Sequence, residues 1–511
     1  MTPNQYTPEE PISSIATALA PAALGIVRVS GKGCIELVSK VFSRPKALLE
    51  AAGNTLVYGW IQECHAELVS ASKIDEVMLA VYRAPKSFTG EDMVEIFCHG
   101  GPAVVMAVQN LMLKSGFRQA NRGEYTFRAF INGKTDLTRA EAVKEIIDSH
   151  TDVSRSHAAG RLAGALFSEI DSIKKLIIDT LAAIEVEIEY PEDEETIADS
   201  FDRSDIELAA TRLQALADSW RGEKLYQDGA RVVLAGRTNA GKSSLFNAIL
   251  KEERAIVSDI EGTTRDWLES WASINGIPVR LFDTAGLRQT SDVIEAQGVE
   301  ISRSLVHDAD VVLYLVDGTS GMNEEDRAFI ENCKEPLVVV YTKTDKCGGV
   351  IRSLARTIEF PSETRGEING VLGAEPLGEG VAEATGGGAE EAGARGRLAP
   401  PVCKISSKTG EGMADLFAQI YGLLTANLGS GGAGGSTERT QAGLGSARQK
   451  EAVSAALESV RHALVSADDN YTLDAVVQDL EDALDALGEV TGDVTPDDVL
   501  GSIFANFCVG K

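Results

Sequence analysis

Lys242 and Ser243 end the run Gly236-Arg-Thr-Asn-Ala-Gly-Lys-Ser243, which fits the spacing G-x-x-x-x-G-K-[ST] between an apolar run and the helical run Ser244–Leu250. A glycine-rich turn in that setting lets successive backbone N–H groups curl around phosphates, and the helix behind it favours their negative charge. Asn239, Ala240, Gly241 and Ser244 would line the phosphates, Lys242 would reach the β and γ oxygens, and Ser243 would ligate Mg²⁺. Downstream, Asp283-Thr284-Ala285-Gly286 follows Val279-Arg-Leu-Phe282, so the Asp283 carboxylate is expected at a strand end, holding Mg²⁺ through water, with the Gly286 N–H toward the γ-phosphate. Between these motifs, Gly262-Thr263-Thr264 offers Thr264 as a switch hydroxyl that closes on the metal only when a γ-phosphate is present.

Base selection is expected from Thr342-Lys343-Thr344-Asp345, directly after Leu337-Val-Val-Val-Tyr341. A carboxylate at Asp345 can accept from two guanine donors that adenine does not offer together. Ser406, Ser407 and Lys408 would finish the base pocket from a later loop. The five elements occur in one order, each at the boundary where a phosphate, metal or base contact is needed. Leu287 stands after Asp283-Thr-Ala-Gly286, where many GTP hydrolases place a water-orienting Gln, so water must be positioned otherwise. From the residues alone, Glu295 is either a solvated glutamate at a helix start or a carboxylate on a mobile switch that orients water.

The elements that must carry these residues change character along the chain. From Ile12 to about Gly133, short runs such as Gly25–Ser30, Val77–Tyr82 and Met93–Cys98 are separated by Gly, Pro and Ser, which predicts an α+β domain over 1–133. From Arg139 to Glu189 the period becomes helical, with Ile170, Ile173, Ile177, Leu181, Ile184 and Ile188 on one face, and Pro191 with the acidic run after it ends the helix. A second helical stretch, Ile206–Lys224, leads into Ala230–Ala235 and an alternating strand and helix pattern, that of a doubly wound α/β sheet. After the linker Gly429-Ser-Gly-Gly-Ala-Gly-Gly-Ser436, helical periodicity resumes over Ala447–Leu487. The economical architecture is multidomain α/β and α: one helical domain built from 134–228 and 426–511, with an α/β module at 229–425 inserted in it. The Gly, Ala and Glu-rich stretch 348–400 is expected to be a disordered insertion.

At 511 residues and a net charge of −29, the chain does not suit sequence-independent coating of nucleic acid, which needs a Lys or Arg at each phosphate, although local basic patches stay open. No apolar run approaches the roughly 18 residues that a membrane span needs. Met1-Thr-Pro-Asn-Gln-Tyr6 and the residues after it lack a basic start or an apolar stretch, so the cytoplasm is the expected location. The seven cysteines are scattered without paired C-x-x-C spacing, which suggests reduced thiols.

Gly236-RTNAGKSS-Leu245, Gly262-TTRD-Trp267, Asp283-TAGL-Arg288, Ser87-FTGEDMVEIFCHG-Gly101, Gly123-EYTFRAFINGKTDLTRAE-Ala142 and the terminal Phe507-Cys-Val-Gly-Lys511 together resemble the tRNA modification GTPase family MnmE, also called TrmE. The resemblance runs nearly end to end. It implies a folate-binding and dimerising N-terminal domain, a discontinuous helical domain and an inserted Ras-like G domain. It implies a GTP-hydrolysing enzyme that works with the FAD-dependent flavoprotein MnmG (GidA), as a homodimer within a heterotetramer. Together they would install an aminomethyl-type (carboxymethylaminomethyl) group on carbon 5 of wobble uridine, U34, in certain tRNAs. The one-carbon unit would come from 5-formyl- or methylene-tetrahydrofolate.

On matching positions, Arg28, Glu95, Lys134 and Lys511 correspond to folate contacts; from the residues alone each is a surface charge. Asn239, Ser258, Ile260 and Thr263 correspond to ligands of a K⁺ ion, within the loop Ser258, Asp259, Ile260, Glu261, Gly262, Thr263 that meets the nucleotide. Glu295 corresponds to the water-positioning glutamate, beside Lys242 and Thr264 as catalytic groups. Cys508 is open between a nucleophile, a metal ligand and part of a buried tail. Two departures stand out. Ala18-Leu-Ala-Pro-Ala-Ala-Leu24 replaces a Pro-Gly-rich stretch, and Thr342 stands where Asn is usual, so a tie from the base pocket to the phosphate loop is either lost or remade by a hydroxyl. The competing function is a regulatory GTPase acting as a binding module in ribosome assembly, for which the Gly123–Ala142 and Cys508–Lys511 motifs have no use.

Overall fold

The computed structural model describes residues 10–63, 72–189, 203–252, 269–283, 305–346, 400–426, 442–468, 473–508 and 510. The chain divides into two compact units, Met1–Gln227 with Ser430–Lys511, and Asp228–Gly429. The second unit is therefore an insertion in the first. The stretch 348–399, the segment 427–441 and Ile188's side chain lie outside the described residues.

The first unit opens with a sheet of β1 (Ile12–Ile15), β2 (Leu24–Ser30), β3 (Thr55–Glu63), β4 (Ser72–Tyr82), β5 (Met93–His99) and β6 (Arg118–Gln119), in the order β3-β4-β5-β2-β1-β6. Its pairings are antiparallel except that of β1 with β6. Alternate residues such as Val27 and Val29, Leu79 and Val81, and Val94 and Ile96 enter one core. There they meet α1 (Cys34–Ser39), α2 (Pro45–Leu49) and α3 (Pro102–Lys114) through Ile35, Val38, Leu48, Val105, Val108 and Met112.

Five helices follow: α4 (Glu124–Ile131), α5 (Leu137–Asp148), α6 (Asp152–Leu162), α7 (Ala165–Glu189) and α8 (Arg203–Asp228). The helical period over Arg139–Glu189 is thus split among three helices. Thr151 and Ser154 form a capping box that starts α6, and Gly164 at φ 100° turns the chain into α7, so local cap chemistry interrupts a pattern that periodicity alone reads as continuous. Ile170, Ile173, Ile177, Leu181 and Ile184 do share the buried face of α7. Each such side chain contributes roughly 1.5–3 kcal/mol when fully buried.

The inserted unit contains β7 (Ala230–Gly236), α9 (Lys242–Glu252), β8 (Glu269–Ile274), β9 (Ile277–Asp283), β10 (Val311–Asp317), α10 (Glu324–Asn332), β11 (Leu337–Thr342), β12 (Val402–Lys404) and α11 (Met413–Thr425). Its sheet runs β12-β11-β10-β7-β9-β8, parallel except for the antiparallel β8. The near-continuous Val, Leu and Tyr content of β10 and β11 suits strands buried on both faces.

The chain returns to the first unit in α12 (Ala447–Asp468), α13 (Leu473–Thr491) and α14 (Asp497–Ala505). Val453, Val460, Val476, Leu480 and Leu487 complete the core begun by α7 and α8. A buried ionic cluster sits beside it: Arg161 holds Glu145 at 2.6 Å and Glu223 at 2.8 Å, and the Gln227 amide donates to the Gly445 carbonyl at 2.8 Å. Among the described residues no helix is long and apolar enough to cross a membrane.

Candidate nucleotide and folate sites

The inserted unit brings the ends of four parallel strands to one edge. Register pairs Leu315 with Gly236, Leu234 with Asp283 and Asp317 with Thr342, so β7, β9, β10 and β11 finish together. That carboxyl edge is where open α/β sheets bind ligands. Gly236 has φ 131° and lies so close to the Leu315 carbonyl that a Cβ would collide, which requires glycine there. Asn239 at φ 62° and Gly241 at φ 97° turn the loop back on itself before α9 begins at Lys242. Left-handed residues alternating with ordinary ones give a concave row of N–H groups.

The Lys242 ammonium is buried and donates to the carbonyls of Gly236 at 2.7 Å and Arg237 at 2.8 Å. The Ser243 hydroxyl donates to the Asp283 carboxylate at 2.9 Å. A hydroxyl and a buried carboxylate side by side form a hard oxygen donor set that fits Mg²⁺. Ser244 is exposed beside them, and Ala240 is buried.

On the base side, the buried Thr342 hydroxyl donates to the Ala240 carbonyl at 2.7 Å, so the tie between base loop and phosphate loop is made by a hydroxyl. Lys343, at φ 58°, donates to the Asn239 carbonyl at 2.8 Å and to Asp317 at 2.6 Å. Asp345 is exposed and accepts from Ser406 at 2.9 Å, which aims one carboxylate oxygen while Ser406 itself is buried. Ser407 is half-buried and Lys408 exposed on the same loop.

Asp317 is a residue that the motifs did not pick out. Burial pushes its carboxyl up, but hydrogen bonds from Lys343 and Thr319 more than offset this and hold it at about 2. It thereby fixes Lys343 as a charged strut between base and phosphate loops. The signal was present in Val311-Val-Leu-Tyr-Leu-Val-Asp317, an apolar strand ending in a lone carboxylate. Arg237, Tyr314 and Asp326 were likewise missed, because their partnership is visible only once β10 and α10 are placed together. Ser258, Asp259, Ile260, Glu261, Gly262, Thr263, Thr264, Thr284, Ala285, Gly286 and Glu295 lie outside the described residues, as does Lys511.

In the first unit, Arg28 on β2 pairs with Glu95 on β5 at 2.6 Å, directly across the register. The Tyr82 hydroxyl also donates to Glu95, at 3.3 Å. The Arg28 guanidinium lies 5.6 Å from the Phe88 ring and 5.5 Å from the Tyr125 ring. Lys134 is exposed and donates to the Pro85 carbonyl at 3.1 Å, in the same loop as Phe88. A half-buried carboxylate among cations and aromatic faces fits a flat, hydrogen-bonding pterin with an anionic tail.

The C-terminal tail reaches this place. Leu500, Phe504 and Phe507 pack with Phe127, Leu137 and Ala140, and the Phe127 and Phe504 rings meet edge to face at 5.3 Å. Cys508 accepts at its carbonyl from the Gly123 N–H at 3.4 Å, and Arg28 donates to the Gly510 carbonyl at 3.1 Å. The tail is docked through its backbone and phenylalanines while the Cys508 thiol is exposed, so a buried thiol is ruled out.

A family model described as the MnmE helical domain matches residues 137–508, and one described as the GTP-binding protein TrmE N-terminus matches residues 11–134. The tRNA modification GTPase MnmE of Treponema denticola is 48% identical over 99% of this chain and 99% of its own. That of Treponema pallidum is 43% identical over 100% of both chains, and that of Borrelia turicatae 36% identical over 99% of this chain and 100% of its own. With its phosphate loop, strand-end carboxylates and both flanking parts matched along the full length, the chain belongs to the MnmE family of tRNA modification GTPases.

Proposed function

We propose that this GTPase acts with an FAD-dependent flavoprotein of the MnmG (GidA) kind to place a carboxymethylaminomethyl group on carbon 5 of U34 in certain tRNAs. The likeness over 99% of both chains carries this reading, because it extends through the N-terminal and C-terminal parts as well as the inserted unit. A ribosome-assembly switch would need only the latter.

GTP binding is assigned to the phosphate loop, with Lys242 against the β and γ phosphates and Asp345 reading guanine. Ser243 and Thr264 would hold Mg²⁺, supported by the oxygen pair that Ser243 makes with Asp283. Asn239, Ser258, Ile260 and Thr263 would hold K⁺; the exposed amide of Asn239, on a left-handed turn, suits that ion. These cations would neutralise charge on the phosphates. Glu295 would orient the attacking water, since Leu287 cannot.

Arg28, Glu95, Lys134 and Lys511 would bind a tetrahydrofolate derivative that supplies the one-carbon unit. The Arg28–Glu95 pair and its link to Gly510 support placing the terminal residues in that site. Dimer formation through the N-terminal domain, a heterotetramer with the flavoprotein and a cytoplasmic location complete the proposal. Reconstitution tests it: purified chain, FAD-loaded flavoprotein, unmodified tRNA, methylene-tetrahydrofolate as the one-carbon donor, glycine as the source of the carboxymethylamino part, GTP, Mg²⁺ and K⁺ should yield modified U34. Omitting folate, replacing K⁺ by Na⁺ or changing Glu295→Ala should each depress the yield, and product formed without this chain would refute it.

A further inference from the structure

Asp326 is fully buried in the nucleotide-binding unit and belongs to none of its phosphate, metal or base positions. It is the third residue of α10, where Asn323 and Asp326 exchange hydrogen bonds in a capping box, each at 2.9 Å. The carboxylate has two further partners from elsewhere in the unit. Tyr314 on β10 donates its hydroxyl at 2.9 Å, and Arg237 donates from Nε at 3.1 Å with Nη2 at 3.0 Å from the second oxygen. A carboxylate at no contact with water requires such donors, and the first turn of a helix favours its charge.

Arg237 is the first residue of the phosphate loop after Gly236. Its backbone carbonyl is one of the two that hold the Lys242 ammonium, and Gly236 supplies the other. Gly236 is pressed against β10, and the Arg237 side chain is tied to Asp326 and to the Gly321 carbonyl at 3.0 Å. The peptide planes that aim Lys242 are therefore clamped from both ends.

We propose that Asp326 is a positioning residue for phosphate binding: acting through Arg237, it fixes the carbonyls that orient Lys242. The proposal rests on the nucleotide site assigned above. An ammonium held in place by preset acceptors meets the phosphates without reorganising, and that advantage is lost when its acceptors can turn. A clamp that merely stabilises α10 would lower the melting temperature without changing affinity in the folded protein.

The test uses the full chain, with titration of a fluorescent GDP analogue (mant-GDP) beside thermal melting. Asp326→Asn and Arg237→Ala should each weaken binding about tenfold, equal to about 1.4 kcal/mol. The double variant should be no weaker than Arg237→Ala alone, because both act through one linkage. Arg237→Lys should recover part of the loss. Affinity within twofold of wild type in Asp326→Asn, or strictly additive losses, would overturn the proposal. Should Asp326→Asn fail to fold, Tyr314→Phe removes one donor while keeping the ring stacked on Phe329 at 4.6 Å. It should weaken binding about threefold, and unchanged affinity there would overturn the proposal equally. Lys242→Ala separates the two levels: undiminished mant-GDP binding in that variant would refute the nucleotide site itself.

Discussion

The Thr342 hydroxyl donates to the Ala240 carbonyl at 2.7 Å, joining the end of β11 to the phosphate loop within one buried contact. Gly241 sits against it, with a hypothetical Cβ only 3.4 Å from the Thr342 oxygen. The two loops proposed to hold base and phosphate are thus joined through a side chain shorter than the usual asparagine.

Thr342→Val keeps the shape and removes the donor. Leaving a buried carbonyl without that partner costs about 1–3 kcal/mol. The expected result is a several-fold loss of GDP affinity together with a lower melting temperature, measured by calorimetric titration and thermal melting. Unchanged affinity would show that the two loops are held by Lys343 alone.

Asp345→Asn changes the hydrogen-bonding complement of the base pocket. An amide cannot accept from two guanine donors at once, but can donate to the carbonyl that xanthine carries in place of the guanine amino group. The variant should lose GTP and gain xanthosine triphosphate, and competition binding between the two nucleotides reads the switch. Retained guanine preference would remove Asp345 from base recognition.

Glu145 gives a pH signature. Burial raises its carboxyl to about 7, against the opposing pull of Arg161 and with help from the nearby charges of Glu141 and Glu223. Between its ordinary 4.5 and about 7 the folded chain holds a proton that the unfolded chain releases, so this group's contribution to stability falls as pH rises through that window. Glu145→Gln mimics the protonated form. Melting temperatures should match wild type near pH 5 and exceed it near pH 8; a loss at pH 8 would mean that the Arg161 pair outweighs burial.

Much of the fold was legible because its signals are local. The period over Ile170–Ile184 predicted the buried face of α7, and the run Leu337–Tyr341 predicted β11. The breaks at Thr151 and Gly164 were not legible, since capping competes with a continuous helical period only through side-chain hydrogen bonds. Motif spacing picked out Lys242, Ser243, Asp283 and Asp345, which the structure places at a strand end or in the turns and helix starts that follow strands. Asp317, Asp326 and Tyr314 escaped because their roles come from neighbours 26, 89 and 12 residues away in sequence, brought close only by sheet order.

The most direct measurement is mass-spectrometric nucleoside analysis of tRNA from a strain lacking this activity, supplied with the matching flavoprotein and either the wild-type chain or Lys242→Ala. The account predicts that carbon-5-modified U34 returns with the wild-type chain and stays absent with Lys242→Ala. Full modification with Lys242→Ala, or none with a wild-type chain that hydrolyses GTP, would contradict it.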